Sequence, residues 1–214
     1  MRNRFDKQLF ELNRELIEMG AMCEEAIASA VKALTDNDIE LAEKVKRNSS
    51  AIDRMEREIE GLCMKLLLNQ QPVARYLRTI SAALKMITDM ERIGDQAEDI
   101  AEIVISMGKH NMEDLEIIEE MARETVKMVT DSVDAFVKKD VSLAQDVIIR
   151  DDIVDSCFLK VKYGIIDLIA ENHSEGGFAL DLLMISKYFE RIGDHATNIA
   201  EWVIYSVTGT HKEI

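Results

Sequence analysis

Asp89-Met90-Glu91-Arg92-Ile93-Gly94-Asp95-Gln96-Ala97-Glu98-Asp99-Ile100-Ala101-Glu102 returns later in the chain as Tyr188-Phe189-Glu190-Arg191-Ile192-Gly193-Asp194-His195-Ala196-Thr197-Asn198-Ile199-Ala200-Glu201. Glu-Arg-Ile-Gly-Asp and the closing Ile-Ala-Glu recur at an offset of 99 residues (91 to 190, 102 to 201). Two such segments in 214 residues mark an internal duplication. Each copy ends in the same acidic helix.

Spacing shows what that helix presents, because side chains three and four apart share a helix face. Ala83, Met86, Met90, Ile93, Ala97, Ile100, Val104 and Met107 form one apolar stripe, and Leu182, Ile185, Phe189, Ile192, Ala196, Ile199 and Val203 form its counterpart. One residue further round lies a second stripe: Glu91, Asp95, Glu98 and Glu102 in the first copy, Glu190, Asp194, Thr197 and Glu201 in the second. A row of carboxylates therefore flanks each packed face. Like charges at this spacing each destabilise a helix by roughly 0.2–0.5 kcal/mol. Arg92 and Arg191 could offset that cost as internal counter-ions, and so could a bound cation.

The rest of the chain repeats the plan. Leu9, Leu12, Leu16, Met19, Cys23, Ala26 and Ala30 mark a first long helix. Asp36-Asn37-Asp38 ends it, and Asp38 can cap a second helix whose inner face carries Val45, Ile52, Ile59, Leu62 and Leu66. Asn69-Gln70-Gln71-Pro72 closes the second helix, Pro72 suits the first turn of a third, and Gly108 with Asn111 supplies a turn after it. A fourth helix spans about Glu113 to Lys138, and Asp140 caps a fifth as Asp38 caps the second. The fifth shows Val147, Val154, Phe158, Val161, Ile165 and Leu168, and a loop from Asn172 to Gly177 leads to the sixth. The reading is all-α: two tandem, pseudo-symmetric three-helix bundles, residues 1–109 and 110–214.

Fold-back brings the acids of neighbouring helices level. A hairpin about Gln71 sets Asp53 near Glu91 and Asp95; one about Ser174 sets Asp155 near Glu190 and Asp194. Asp151 and Asp152 join the second cluster, whereas the first has Ser49 and is poorer in carboxylates. Such all-oxygen sets suit Mg, Ca, Mn or Fe, with Zn less favoured for want of Cys and His. His195 sits on the wrong flank of its helix to join the carboxylate row. The alternative is a solvated acidic face without metal. A redox di-iron centre would need Glu-x-x-His, which neither copy has. Gly94 and Gly193, each costing a helix about 1 kcal/mol relative to Ala, suggest close approach of a neighbouring backbone.

Composition narrows the function. The chain is 47% hydrophobic and 31% charged, with nine Gly, one Pro and a net charge of −15. That charge argues against nucleic-acid binding and for basic partners or cations. No apolar run reaches the roughly 18 residues of a membrane span, and no signal peptide is expected. Cys23, Cys63 and Cys157 read as reduced core residues of a cytoplasmic protein. There is no Gly-rich phosphate loop, Gly-x-Ser-x-Gly or Cys–His arrangement pointing to an enzyme. Most of the 12 Met fall on apolar stripes and read as core.

At these residues the sequence resembles the PhoU family of phosphate-signalling regulators. The resemblance rests on Glu91-Arg-Ile-Gly-Asp95, Glu190-Arg-Ile-Gly-Asp194, the Gln71-Pro72 turn followed by Leu77-Arg78, and the duplication itself. It implies two side-by-side three-helix bundles, no enzymatic activity, and acidic motifs able to bind Fe, Zn, Mn or Mg. The matching positions are Glu91, Asp95, Glu190 and Asp194, with Asp151 and Asp155 on the fifth helix; Ser49 departs from the pattern ahead of Asp53. Asp152, Glu98, Glu102 and Glu201 are further acidic positions. The implied role is a cytoplasmic negative regulator of phosphate uptake and phosphate-starvation signalling. It links the ATPase subunit of a high-affinity phosphate ABC transporter to a sensor histidine kinase, as a homodimer without membrane insertion. A metal-free helical scaffold and a carboxylate–metal hydrolase are the alternatives.

Overall fold

The computed structural model describes residues 2–70, 73–108 and 115–210. Six long helices make it up: α1 (Arg2–Thr35), α2 (Ile39–Gln70), α3 (Ala74–Met107), α4 (Glu116–Lys138), α5 (Val141–Glu171) and α6 (Gly176–Thr208). There is no strand among the described residues. The positions of Gln71, Pro72, Asn111 and Glu113 in the sequence reading lie outside them.

Local chemistry sets the helix ends. The Asp38 carboxylate accepts a hydrogen bond from the Leu41 amide at 2.9 Å, and Asp140 accepts from Leu143 at 3.1 Å. Both satisfy an amide that the first helical turn leaves without a partner. Asn37 and Lys139, at equivalent places before these caps, adopt left-handed φ of 52° and 57°. Gly108 ends α3 at φ 71°. The stretch before α6 is tighter than a loop: His173–Glu175 form a 3-10 turn, and Gly176 and Gly177 already belong to α6.

The packing has two levels. Helices α1, α2 and α3 pack on one another, as do α4, α5 and α6; α3 then packs along α6, and α1 along α4. The motif helices α3 and α6 are thus central, each packed against three other long helices. Met90, Ile93, Ala97 and Ile100 of α3 and Phe189, Ile192, Ala196 and Ile199 of α6 have no exposed surface. Burial of the Met, Ile and Phe side chains among them stabilises the fold by about 1.5–3 kcal/mol each. Ala82, Ala83, Ala101, Ala179 and Ala200 are buried as well, and small side chains let long helices approach closely.

Candidate metal centres and the repeat interface

In the first repeat, α2 contributes Asp53 and α3 contributes Glu91 and Asp95. Each offers a carboxylate oxygen, and the three oxygens lie within 4.8 Å of one another. Asp53 and Glu91 are half-buried and Asp95 is exposed. Burial raises the pKa of Glu91, and Asp95, Glu56 and Asp53 add to the rise while Arg92 opposes it. Asp95 is likewise pushed up by burial and then by Asp53 and Glu98. Both shifts express carboxylates crowded together at a partly dry surface. On the count of carboxylates this cluster is the poorer of the two; in the structure it is the more convergent.

The second repeat gathers Asp151 and Asp155 from α5 with Glu190 and Asp194 from α6. Asp151 lies deepest. Its Oδ1 is buried and accepts no hydrogen bond. Burial, followed by the charges of Asp155, Asp194, Glu190 and Asp152, pushes its pKa up to about 6. Burial also raises Asp155, helped by Glu190 and Asp152; it raises Asp194, helped by Glu190 and Asp155. Lys187 opposes both rises. Its ammonium pairs with Glu190 and stands 5.6 Å from the centre of the Phe158 ring.

The repeated glycines serve these clusters by admitting side chains, not a neighbouring backbone. A Cβ on Gly94 would sit 2.8 Å from Ile52 Cδ1; on Gly193 it would sit 2.8 Å from Asp151 Oδ1. The same notch therefore takes an apolar plug in one repeat and a carboxylate in the other. Ser49, the counterpart of Asp151, turns its hydroxyl back to the Lys46 carbonyl at 3.1 Å.

The remaining acids lie further off. Glu98 is half-buried beside Asp95, and Asp152 is exposed beside Asp151. Glu102 pairs with Lys46 of α2. Glu201 lines a separate groove with Gln145, Ile148 and Ile204. Arg191 acts on Asp99 of the other repeat, where it opposes that acid's upward shift.

His195 is buried against α3, where its Nδ1 meets Asp89 Oδ1 at 2.9 Å and Asn198 Nδ2 donates to the same oxygen at 3.3 Å. The pseudo-symmetric counterpart of the Asp89–Asn198 contact is Tyr188–Asp99, in which the Tyr188 hydroxyl bonds to the carboxylate; burial, then that carboxylate, raises the Tyr188 pKa. Each cross-repeat pair lies next to an acidic cluster in sequence.

The donor sets fit a hard or borderline cation. They are all-oxygen, three oxygens already converge, and one buried oxygen lacks a donor. Among the described residues there is no comparable set around Cys23, Cys63 or Cys157, which are free, buried thiols. Among the described residues no helix is long and apolar enough to cross a membrane.

Comparison with known proteins places this arrangement. The family model described as PhoU domain matches twice, at residues 16–104 and 118–203. A phosphate-specific transport system accessory protein PhoU homolog of Clostridium acetobutylicum is 36% identical over 98% of this chain and 97% of its own. Homolog 1 of Thermotoga maritima is 34% identical over 98% of this chain and 91% of its own. The crystal structure of PhoU from Pseudomonas aeruginosa superposes with a TM-score of 0.90 at 34% identity, covering 96% of this chain and all of that one. The phosphate transport system regulatory protein PhoU from Streptococcus pneumoniae gives 0.90 at 28% identity, covering 98% of this chain. With both repeats matched by the family model, and near-complete alignment to these relatives, the chain belongs to the PhoU family.

Proposed function

We propose that the chain is a non-catalytic accessory regulator of phosphate-specific transport. The observation that carries this reading is the PhoU domain in both repeats, shared along nearly the whole chain with relatives named as accessory proteins of that system. In the finer form of the proposal it is a cytoplasmic, homodimeric adaptor. It restrains the phosphate-starvation response by linking the transporter's ATPase subunit to a sensor histidine kinase. A net charge of −15 on a small helical body favours docking to basic faces and speeds encounter with them.

The acidic clusters are the proposed organising sites. Asp53, Glu91 and Asp95 would hold a cation in the first repeat, and Asp151, Asp155, Glu190 and Asp194 in the second. A bound Mn, Mg, Fe or Zn ion would supply positive charge where carboxylates otherwise repel one another. Because each set draws on two helices, such an ion would tie α2 to α3 and α5 to α6 at the acidic shoulder of each hairpin. The test of the regulatory role is a deletion strain. Phosphate-starvation genes should be expressed in phosphate-rich medium and repressed again on complementation; normal repression without the protein contradicts the proposal.

A further inference from the structure

The two repeats differ at a pair of facing positions beside their acidic clusters. In the first these are Glu56 and Thr88, and the Thr88 hydroxyl donates to Glu56 Oε1 at 3.4 Å. In the second the equivalent positions hold Phe158 and Lys187 (56 to 158, 88 to 187). One exchange thus replaces a carboxylate with an aromatic ring and a hydroxyl with an ammonium. Glu56 adds negative charge beside Glu91. Lys187 instead pairs with Glu190 and faces Asp155 and Asp194 with positive charge, over the Phe158 ring. The ring gives the ammonium a seat through cation–π attraction, so the lysine is held at the cluster instead of ranging through solvent. Arg150, the next cation on α5, is already engaged with Glu124 at 2.6 Å.

We propose that Lys187 is a built-in counter-ion that competes with a bound cation at the second cluster, so the two repeats bind metal unequally and the Asp53–Glu91–Asp95 set fills first. This rests on the cation reading of the clusters given above. The physical ground is direct: a metal using Glu190 must first displace an ammonium from it, whereas the one ion pair at the first cluster among the described residues is that of the exposed Arg57 with Asp53, one turn along the same helix at 3.9 Å, and none is made by Glu91 or Asp95. Asp151 supplies the second cluster with an additional carboxylate, and Lys187 neutralises part of that excess while the metal is absent.

The experiment is a titration of the full, chelator-treated chain with Mn2+, with free Mn2+ followed by electron paramagnetic resonance. The wild type should show a tighter and a weaker class of site, and Asp95→Asn should remove the tighter. Lys187→Thr, which installs the first repeat's residue, should tighten the weaker class about tenfold and leave the tighter unchanged. Thr88→Lys should weaken the tighter class by a similar factor. Lys187→Gln, which keeps the length of the side chain, should repeat the Lys187→Thr result. If both Lys187 variants keep wild-type helicity and leave the weaker class unchanged, the role given to Lys187 is wrong. If wild type and variants alike bind no Mn2+, the cation reading itself is overturned.

Discussion

His195 of α6 and Asp89 of α3 form a buried bond between the two repeats, with Nδ1 and Oδ1 2.9 Å apart. A carboxylate only accepts, so Nδ1 carries the proton in this contact. The same oxygen also accepts from Asn198. Removing the acid in Asp89→Ala leaves two donors without their shared acceptor and should cost about 2–3 kcal/mol in urea unfolding. In a double-mutant cycle, His195→Ala added to Asp89→Ala should cost much less than it does alone. Additive losses would show that the contact does not couple the repeats.

The pH dependence of stability should report Asp151. Its carboxyl has a folded pKa of about 6 against an ordinary value of 3.8. A carboxyl that holds its proton more tightly in the fold favours folding in acid. That contribution is complete below pH 3.8 and lost as pH rises through 6. Asp151→Asn should therefore stabilise the metal-free protein at pH 7.5 and make no difference by about pH 3.5. Partial exposure of the side chain limits the expected gain to about 1 kcal/mol. A variant less stable than wild type at pH 7.5 would contradict the crowding of charge described for this cluster.

The two motif glycines should respond differently to the same change. Gly94→Ala drives a methyl against Ile52 Cδ1 at 2.8 Å and Cγ2 at 3.3 Å, and Ile52 is itself core. Overpacking should outweigh the gain in helix propensity, for a net loss of about 1–2 kcal/mol. Gly193→Ala meets the end of the Asp151 side chain, which can swing outward. Thermal denaturation should show little change there, but the stabilisation of the fold in acid should shrink as the displaced carboxylate regains water. Equal losses at both positions would refute the two different uses of the notch.

The three thiols should be inert in the native protein. Burial pushes Cys23 and Cys63 up to about 12 and raises Cys157 as well. An aromatic disulfide reagent at pH 8 should therefore label none of them quickly, and all three after denaturation. Rapid labelling of the folded chain would place a thiol at the surface.

The duplication, the six helices and the Asp38 and Asp140 caps were legible because each depends on short-range spacing. So was the approach of Asp53 to Glu91 and Asp95, since a hairpin fixes register within a repeat. Register between repeats has no such local determinant, and Asp89–His195 and Tyr188–Asp99 went unread for that reason. A signal was nonetheless present: within the duplicated motif the copies disagree at five places, 89 and 188, 90 and 189, 96 and 195, 98 and 197, and 99 and 198. Those include the positions that meet across the repeats, where a pseudo-symmetric interface tolerates unlike partners. The backbone expected at Gly94 and Gly193 proved to be side chains because spacing along one helix cannot say which atoms of its neighbour fill a notch. The first cluster does hold fewer acids, as counted, but its closer convergence depends on rotamers, which a count does not reach.

In the proposed role the carboxylates of each repeat act together as a cation site. The direct measurement is elemental analysis of untagged protein, purified without chelator, against a Glu91→Gln, Asp95→Asn, Glu190→Gln, Asp194→Asn variant of matched helix content. The wild type should retain metal near stoichiometric amounts and the variant should lose it; a wild type free of metal, or a variant that keeps as much, would contradict the account.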